Sequence, residues 1–155
     1  MKVFIVFLSL FFFGFANAQC DTVLPLNKIV VDYATKNLNK KVGRGECWDL
    51  AKYALDEANA TWDGKYQYGR KLSKDECLMP GDIIQFENVV VEFKQGKQTF
   101  KETMQHHTSI IFSVESKDEV VLIHQNTAYT GRKVGKSSLR FSTIKKGKYT
   151  IYRPQ

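Results

Sequence analysis

The chain has 155 residues, with 23 Lys and Arg against 16 Asp and Glu and a net charge of +7. That length fits one domain with room for a single modest core. The positive balance favours anionic partners, yet the lysines are spread along the chain, densest at Lys145, Lys146 and Lys148, so a plain solvated basic surface stays open beside that reading.

Lys2 precedes an apolar run from Val3 to Phe15 and then Ala16-Asn17-Ala18, a small-x-small cleavage site. This pattern is a secretory leader, residues 1–18, cut after Ala18. The run is shorter than the roughly 20 residues a spanning helix needs, and Gln19 stands where a lipid-modified cysteine wants a small residue. The mature segment, residues 19–155, is expected outside the cytoplasm, secreted or periplasmic, with no stable membrane insertion. Export lowers the expectation of a nucleic-acid partner.

From Pro25 to Val42, Ile29, Val30, Tyr33, Ala34 and Leu38 recur at helical spacing. Gly43-Arg44-Gly45 breaks that helix. A second follows from Glu46 to Ala60, with Leu50, Ala51, Ala54, Leu55 and Ala58 on its inner face. Residues 61–80 carry Trp62, Tyr66 and Tyr68 without a period, as a loop walling a cleft would. After Pro80-Gly81 the pattern becomes strands at Asp82–Glu87 and Val89–Lys94. A hairpin is expected from His107–Glu115 and Glu119–Asn126 across Ser116-Lys117-Asp118. Two last strands, Ser138–Ile144 and Lys148–Tyr152, flank a turn at Lys145-Lys146-Gly147. Helices first and an antiparallel sheet afterwards make an α+β domain.

Three cysteines leave one unpaired if two bond. Cys47 alone has a nucleophile's context, which favours pairing Cys20 with Cys77. Spacing by itself leaves open that Cys47 is bridged or merely buried. It follows a Gly-x-Gly turn at the first turn of a helix, where N–H groups and the positive dipole end are expected to lower its pKa. Its own N–H is a candidate oxyanion donor. Glu46 is an adverse neighbour, expected to face solvent.

All three histidines lie between positions 106 and 124. Alternation places His107, Ser109 and Ile111 on one strand face, and Leu122, His124 and Asn126 on one face of the next. A hairpin sets these side by side, so His107 meets Cys47 as base while His124 or Asn126 holds its other ring nitrogen. Small Ser109 is expected to leave room for the helix. His106 points to the opposite face, as an ordinary strand histidine. Zinc needs three or four converging ligands, and adjacent histidines on a strand diverge. No metal or cofactor is expected.

Gly45-Glu46-Cys47-Trp48-Asp49-Leu50, Pro80-Gly81-Asp82-Ile83-Ile84-Gln85-Phe86, His107-Thr108-Ser109-Ile110-Ile111, Ile123-His124-Gln125-Asn126 and Gly147-Lys148-Tyr149-Thr150-Ile151-Tyr152-Arg153-Pro154 stand in a familiar order. Over residues 43–154 the sequence resembles the CHAP family of cysteine, histidine-dependent amidohydrolases and peptidases, within the NlpC-like, papain-related superfamily. The resemblance implies helices packed on an antiparallel half-barrel, a single catalytic domain, and amidase or endopeptidase cleavage of peptidoglycan, an anionic wall polymer; a monomer is expected. Two positions depart from the pattern. Glu46 replaces a glutamine common before the nucleophile, and His124 replaces a glutamate, although a histidine third member is known in the NlpC-like branch. These departures motivate a second expectation, a catalytically silent wall-binding or interaction module. A secreted protease or toxin-like hydrolase is a third.

Overall fold

A computed structural model describes residue 20 and residues 22–155. The leader and its cleavage site lie outside the described residues. Helix α1 spans Pro25–Lys36, opened by a proline whose missing N–H costs nothing at a first helical turn. It ends six residues before the expected Val42. Asn37 caps it by donating from its side chain to the Tyr33 carbonyl, Asn39 turns at φ 63°, and Leu38 bridges to Val134. Helix α2 spans Cys47–Glu57 and is started by a capping box between Glu46 and Asp49.

The strands are β1 (Arg70–Lys71), β2 (Ile83–Gln95), β3 (Gln98–Val114), β4 (Glu119–His124), β5 (Gly135–Arg140) and β6 (Ile144–Arg153). They form one antiparallel sheet in the order β1-β6-β2-β3-β4-β5. Strand β3 begins nine residues before the expected start, because β2 and β3 are a long hairpin turning at Gly96-Lys97. The break expected at Asn88 is an irregularity inside β2, at φ 51°, where its register with β6 shifts. The turn expected at Lys145-Lys146-Gly147 lies inside β6. Gly147 has φ 90°, and a Cβ there would stand 2.3 Å from the Asn88 carbonyl oxygen, so a glycine suits this close approach.

Each face of the sheet has its own core. Leu50, Ala51, Ala54 and Leu55 of α2, with Val30 and Ala34 of α1, pack on Ile83, Ile110 and Ile123. Phe86, Ile84, Ile111, Leu122 and Leu139 form a second cluster. Neighbouring residues of one strand enter opposite clusters, as period-2 alternation requires. Burial on both faces also explains why β2 to β4 read as near-continuous apolar runs.

The ends of the domain are tied to its middle. Asp82 is fully buried and accepts from Arg153 Nε at 2.9 Å and Nη2 at 2.8 Å. It also takes bonds from the Asn27 side chain and the Met79 N–H. Gly81, at φ 87°, passes so close to α1 that a Cβ would stand 2.1 Å from the Asn27 carbonyl oxygen. Cys20 is disulfide-bonded to Cys77 across 57 residues, and Cys47 is free.

Candidate active site

Cys47 is the first residue of α2, and the segment before it is held by polar bonds. Asp49 Oδ2 accepts from the N–H groups of Arg44 and Glu46, and Asp49 Oδ1 pairs with the Arg44 guanidinium at 3.1 Å. Burial alone would raise the Asp49 pKa, but these donors outweigh it and hold the carboxyl below its ordinary range. Gly45, at φ 91°, completes the turn.

Cys47 Sγ lies 4.0 Å from the carbonyl oxygen of His106. The N–H and the hydroxyl of Thr108 face the sulfur and favour its charged form. In an extended strand, residues i and i+2 direct their backbone polar groups to the same side. The sulfur is therefore seated against the edge of β3, at the two residues flanking His107. Strand β4 has already left that edge, since its pairing with β3 begins at Ile110 and Ile123.

The expected fall in the Cys47 pKa is not found. Burial pushes the thiol up, Thr108 and Trp48 N–H bonds oppose that rise, and the Glu46 charge adds to it. Nor does Glu46 simply face solvent. Its carboxylate accepts from Asn126 Nδ2 at 2.8 Å and stands 3.4 Å from Arg132.

His107 and His124 are brought together, with Nε2 of the first 3.0 Å from Nδ1 of the second. Ser109 Oγ is 3.1 Å from the same Nδ1, and Ser137 Oγ is 3.0 Å from His124 Nε2. Burial lowers the His107 pKa to about 4; burial, with the His107 charge, lowers His124 to about 3. Both rings are thus neutral near pH 7. They project on the face of Phe86, whose ring stacks on His107, whereas the body of α2 packs on the opposite face. Ser109 therefore makes room for His124, not for the helix; Ile110 and Ile123 receive the helix.

Asn126 is not placed beside His107. Strand β4 ends at His124, and Asn126 has φ 62° and reaches Glu46 instead. Between them Gln125 is fully buried and donates to the carbonyls of Val42 and Glu46. The β4 terminus thus fixes the start of α2, while His124 alone attends His107.

His106 lies on the other face, as expected, with Nδ1 3.1 Å from Gln85 Nε2 and its ring against the edge of Tyr66. Residues 61–80 wall the site: the Trp48 indole N–H donates to the Lys65 carbonyl, and Trp62 packs between Trp48 and Tyr68. Beneath the sulfur lie three buried groups that sequence reasoning did not single out. Gln85 Oε1 is 2.7 Å from Thr108 Oγ1 and 3.1 Å from the Tyr68 hydroxyl, and the two hydroxyls are 2.9 Å apart. Among the described residues no three His, Cys, Asp or Glu side chains converge to hold a metal ion, and no helix is long and apolar enough to cross a membrane.

The family described as the AIM3/BBC1 cysteine proteinase-fold domain matches residues 26–155. Among solved structures, the crystal structure of Ly7917 superposes with a TM-score of 0.50 at 15% identity, covering 81% of this chain and 62% of that one. Ly7917 with the hydrolyzing product of MDP superposes at 0.52 and 16% identity, covering 83% and 62%. Identity this low establishes a shared fold, and this chain spans 62% of the length of those chains. No curated protein sequence matches.

Proposed function

The chain belongs to the AIM3/BBC1 cysteine proteinase-fold domain family, and on that premise we propose that it is an exported cysteine hydrolase of the CHAP type, cleaving an amide bond in peptidoglycan or its fragments. The observation that carries this reading is the seat of Cys47. A free sulfur at a helix N-terminus rests against the main chain on either side of His107, and the His107 Nε2 is held by His124.

With His107 Nε2–H donating to His124 Nδ1, His124 carries its own hydrogen on Nε2 toward Ser137. His107 Nδ1 is then an unprotonated base. No hydrogen bond joins the two side chains in the free protein, so in this mechanism the contact closes with substrate bound: His107 takes the Cys47 proton, and the thiolate attacks the amide carbonyl carbon. The oxyanion is met by the N–H of Cys47 itself at the start of α2. The proton passes from His107 to the departing amine, leaving a thioester. Water, deprotonated by the same imidazole, releases the acid and restores the thiol. Asn126 acts on Glu46 rather than on the base. The export leader, the positive charge and the MDP product bound to a protein of this fold support a wall-derived substrate.

The decisive experiment incubates residues 19–155 with purified peptidoglycan and with MDP and identifies released fragments by mass spectrometry. Cleavage that disappears in Cys47→Ala is expected. Equal release by both proteins, or none by either, overturns the proposal. The raised thiol pKa favours a second reading, a silent wall-binding module. That reading predicts retention on insoluble peptidoglycan without product and an unchanged Cys47 titration in His107→Ala.

A further inference from the structure

Gln85, Tyr68 and Thr108 are each at most 1% exposed, and their hydrogen bonds can be assigned. Both hydrogens of the Gln85 amide nitrogen are committed, one to the Phe86 carbonyl and one to His106 Nδ1, each at 3.1 Å. The amide therefore cannot turn over, and its oxygen is left to accept from the Tyr68 and Thr108 hydroxyls. Tyr68 stays protonated, since burial raises its pKa far above the ordinary phenol value.

Two arrangements satisfy every buried group. In one, Thr108 donates to Gln85 Oε1 and Tyr68 donates to Thr108 Oγ1. In the other, Tyr68 donates to Gln85 Oε1, and the Thr108 hydrogen is free to turn toward Cys47. We propose that Thr108 and Tyr68 form a hydroxyl relay that follows the charge of the Cys47 sulfur, Thr108 leaving Gln85 for the thiolate while Tyr68 takes over the vacated bond. The thiol proton leaves for a base or for water. Neither hydroxyl ionises; each only rotates.

The relay answers a need set by the site. Burial opposes the thiolate, and a charge-assisted hydrogen bond from a hydroxyl already in place offsets part of that cost. Without Tyr68, Thr108 could reach the sulfur only by leaving a buried amide oxygen bare. Thr108 and Tyr68 are thus positioning residues, and Tyr68 acts entirely through Thr108. The titratable and charged groups around the sulfur are Glu46 at the cap of α2, with Arg132 paired to it, Tyr68 of the loop, and the imidazole of His106 on β3, while the His107 ring lies on the other face of the strand. The relay deepens the hydrolase reading, since it serves the nucleophile proposed there.

The test reads the sulfur without any substrate. The rate of iodoacetamide alkylation of Cys47 is followed against pH with the Cys20–Cys77 bond intact, in the wild type, Thr108→Val, Thr108→Ser and Tyr68→Phe. Thr108→Val is expected to cut the thiolate fraction below the midpoint about tenfold. Thr108→Ser should retain the wild-type profile. Tyr68→Phe should shift it in the same direction as Thr108→Val, by a smaller factor. A wild-type profile in Tyr68→Phe overturns the relay, as does an unshifted Thr108→Val. If Thr108→Val does not fold, Tyr68→Phe and Thr108→Ser decide alone. Shifts as expected in a protein that cleaves nothing would end the hydrolase reading and leave the relay standing.

Discussion

His107 Nε2 stands 3.0 Å from His124 Nδ1, and the outer nitrogen of His124 stands 3.0 Å from Ser137 Oγ. Two neutral imidazoles in line require one donor and one acceptor at their contact. Ser109, 3.1 Å from His124 Nδ1, and Ser137 carry hydroxyls that rotate to suit either direction. The pair therefore orients His107 without a carboxylate. The cost is that His124 does not stabilise an imidazolium as a negative charge would.

This arrangement predicts unequal losses on substitution. His107→Ala should lower kcat for the proposed hydrolysis by about 10²–10⁴-fold, the range for removing a general base. His124→Asn keeps an acceptor near Nε2 and should lose less, in kcat rather than KM. Steady-state kinetics on a peptidoglycan fragment check this. A change confined to KM in both variants would place the pair in binding instead.

The same burial predicts acid sensitivity. The folded pKa values, about 4 for His107 and about 3 for His124, lie below the ordinary 6.5. Between pH 6.5 and those values the unfolded chain binds more protons than the folded one, so stability rises with pH there. It should be complete above pH 6.5 and fall as pH drops through about 4 and about 3. Denaturant midpoints measured from pH 7 to pH 4 should decline, and the decline should flatten in His107→Asn. A pH-independent midpoint across that window would show both rings to be solvated.

Reduction of the Cys20–Cys77 bond should destabilise the domain. It closes a loop of 57 residues, and the chain-entropy account gives about 4 kcal/mol for a loop of that size. The melting temperature with and without a phosphine reductant measures this, using Cys47→Ala to exclude exchange with the free thiol. A loss well under 1 kcal/mol would mean that Arg153, which donates to the Cys77 carbonyl, holds this segment without the bridge.

Asp82→Ala should cost more. It would leave the Arg153 guanidinium, held by two Asp82 oxygens in the interior, without its counter-charge, a change worth about 3–5 kcal/mol. The paired substitution Asp82→Leu with Arg153→Met should recover much of that loss. Urea denaturation of the three proteins tests the order.

Much of this was legible because sheet periodicity is short and strict. Once His107 and His124 were placed on adjacent strands, alternation alone predicted their contact and sent His106 to the other face. What was not legible depended on where regular structure stops. Asn126 continues the alternating count on paper, but β4 ends at His124 and the next residues turn to grip α2. Gln85 looked like one polar residue in an apolar strand, and its partners Tyr68 and Thr108 lie 17 and 23 positions away. The extension of β3 back to Gln98 is not legible because its exposed polar residues lack an apolar stripe. The rise in the Cys47 pKa is not legible because a helix N-terminus is visible in a sequence and the burial that opposes it is not.

Glu46 offers the sharpest single change at the nucleophile. Burial is the largest cause of the raised Cys47 pKa, and the Glu46 charge adds to it. Arg132 at 3.4 Å offsets that charge in part and is itself well exposed, hence screened by solvent. Glu46→Gln removes the charge while keeping an amide oxygen that accepts from Asn126. Cys47 should then alkylate faster at neutral pH, with its titration moved down by less than about one unit, and the change should shrink at high salt. Arg132→Ala should move it the opposite way. If both variants alkylate like the wild type at low salt, the Glu46 carboxylate exerts no field at the sulfur, and burial alone sets the thiol.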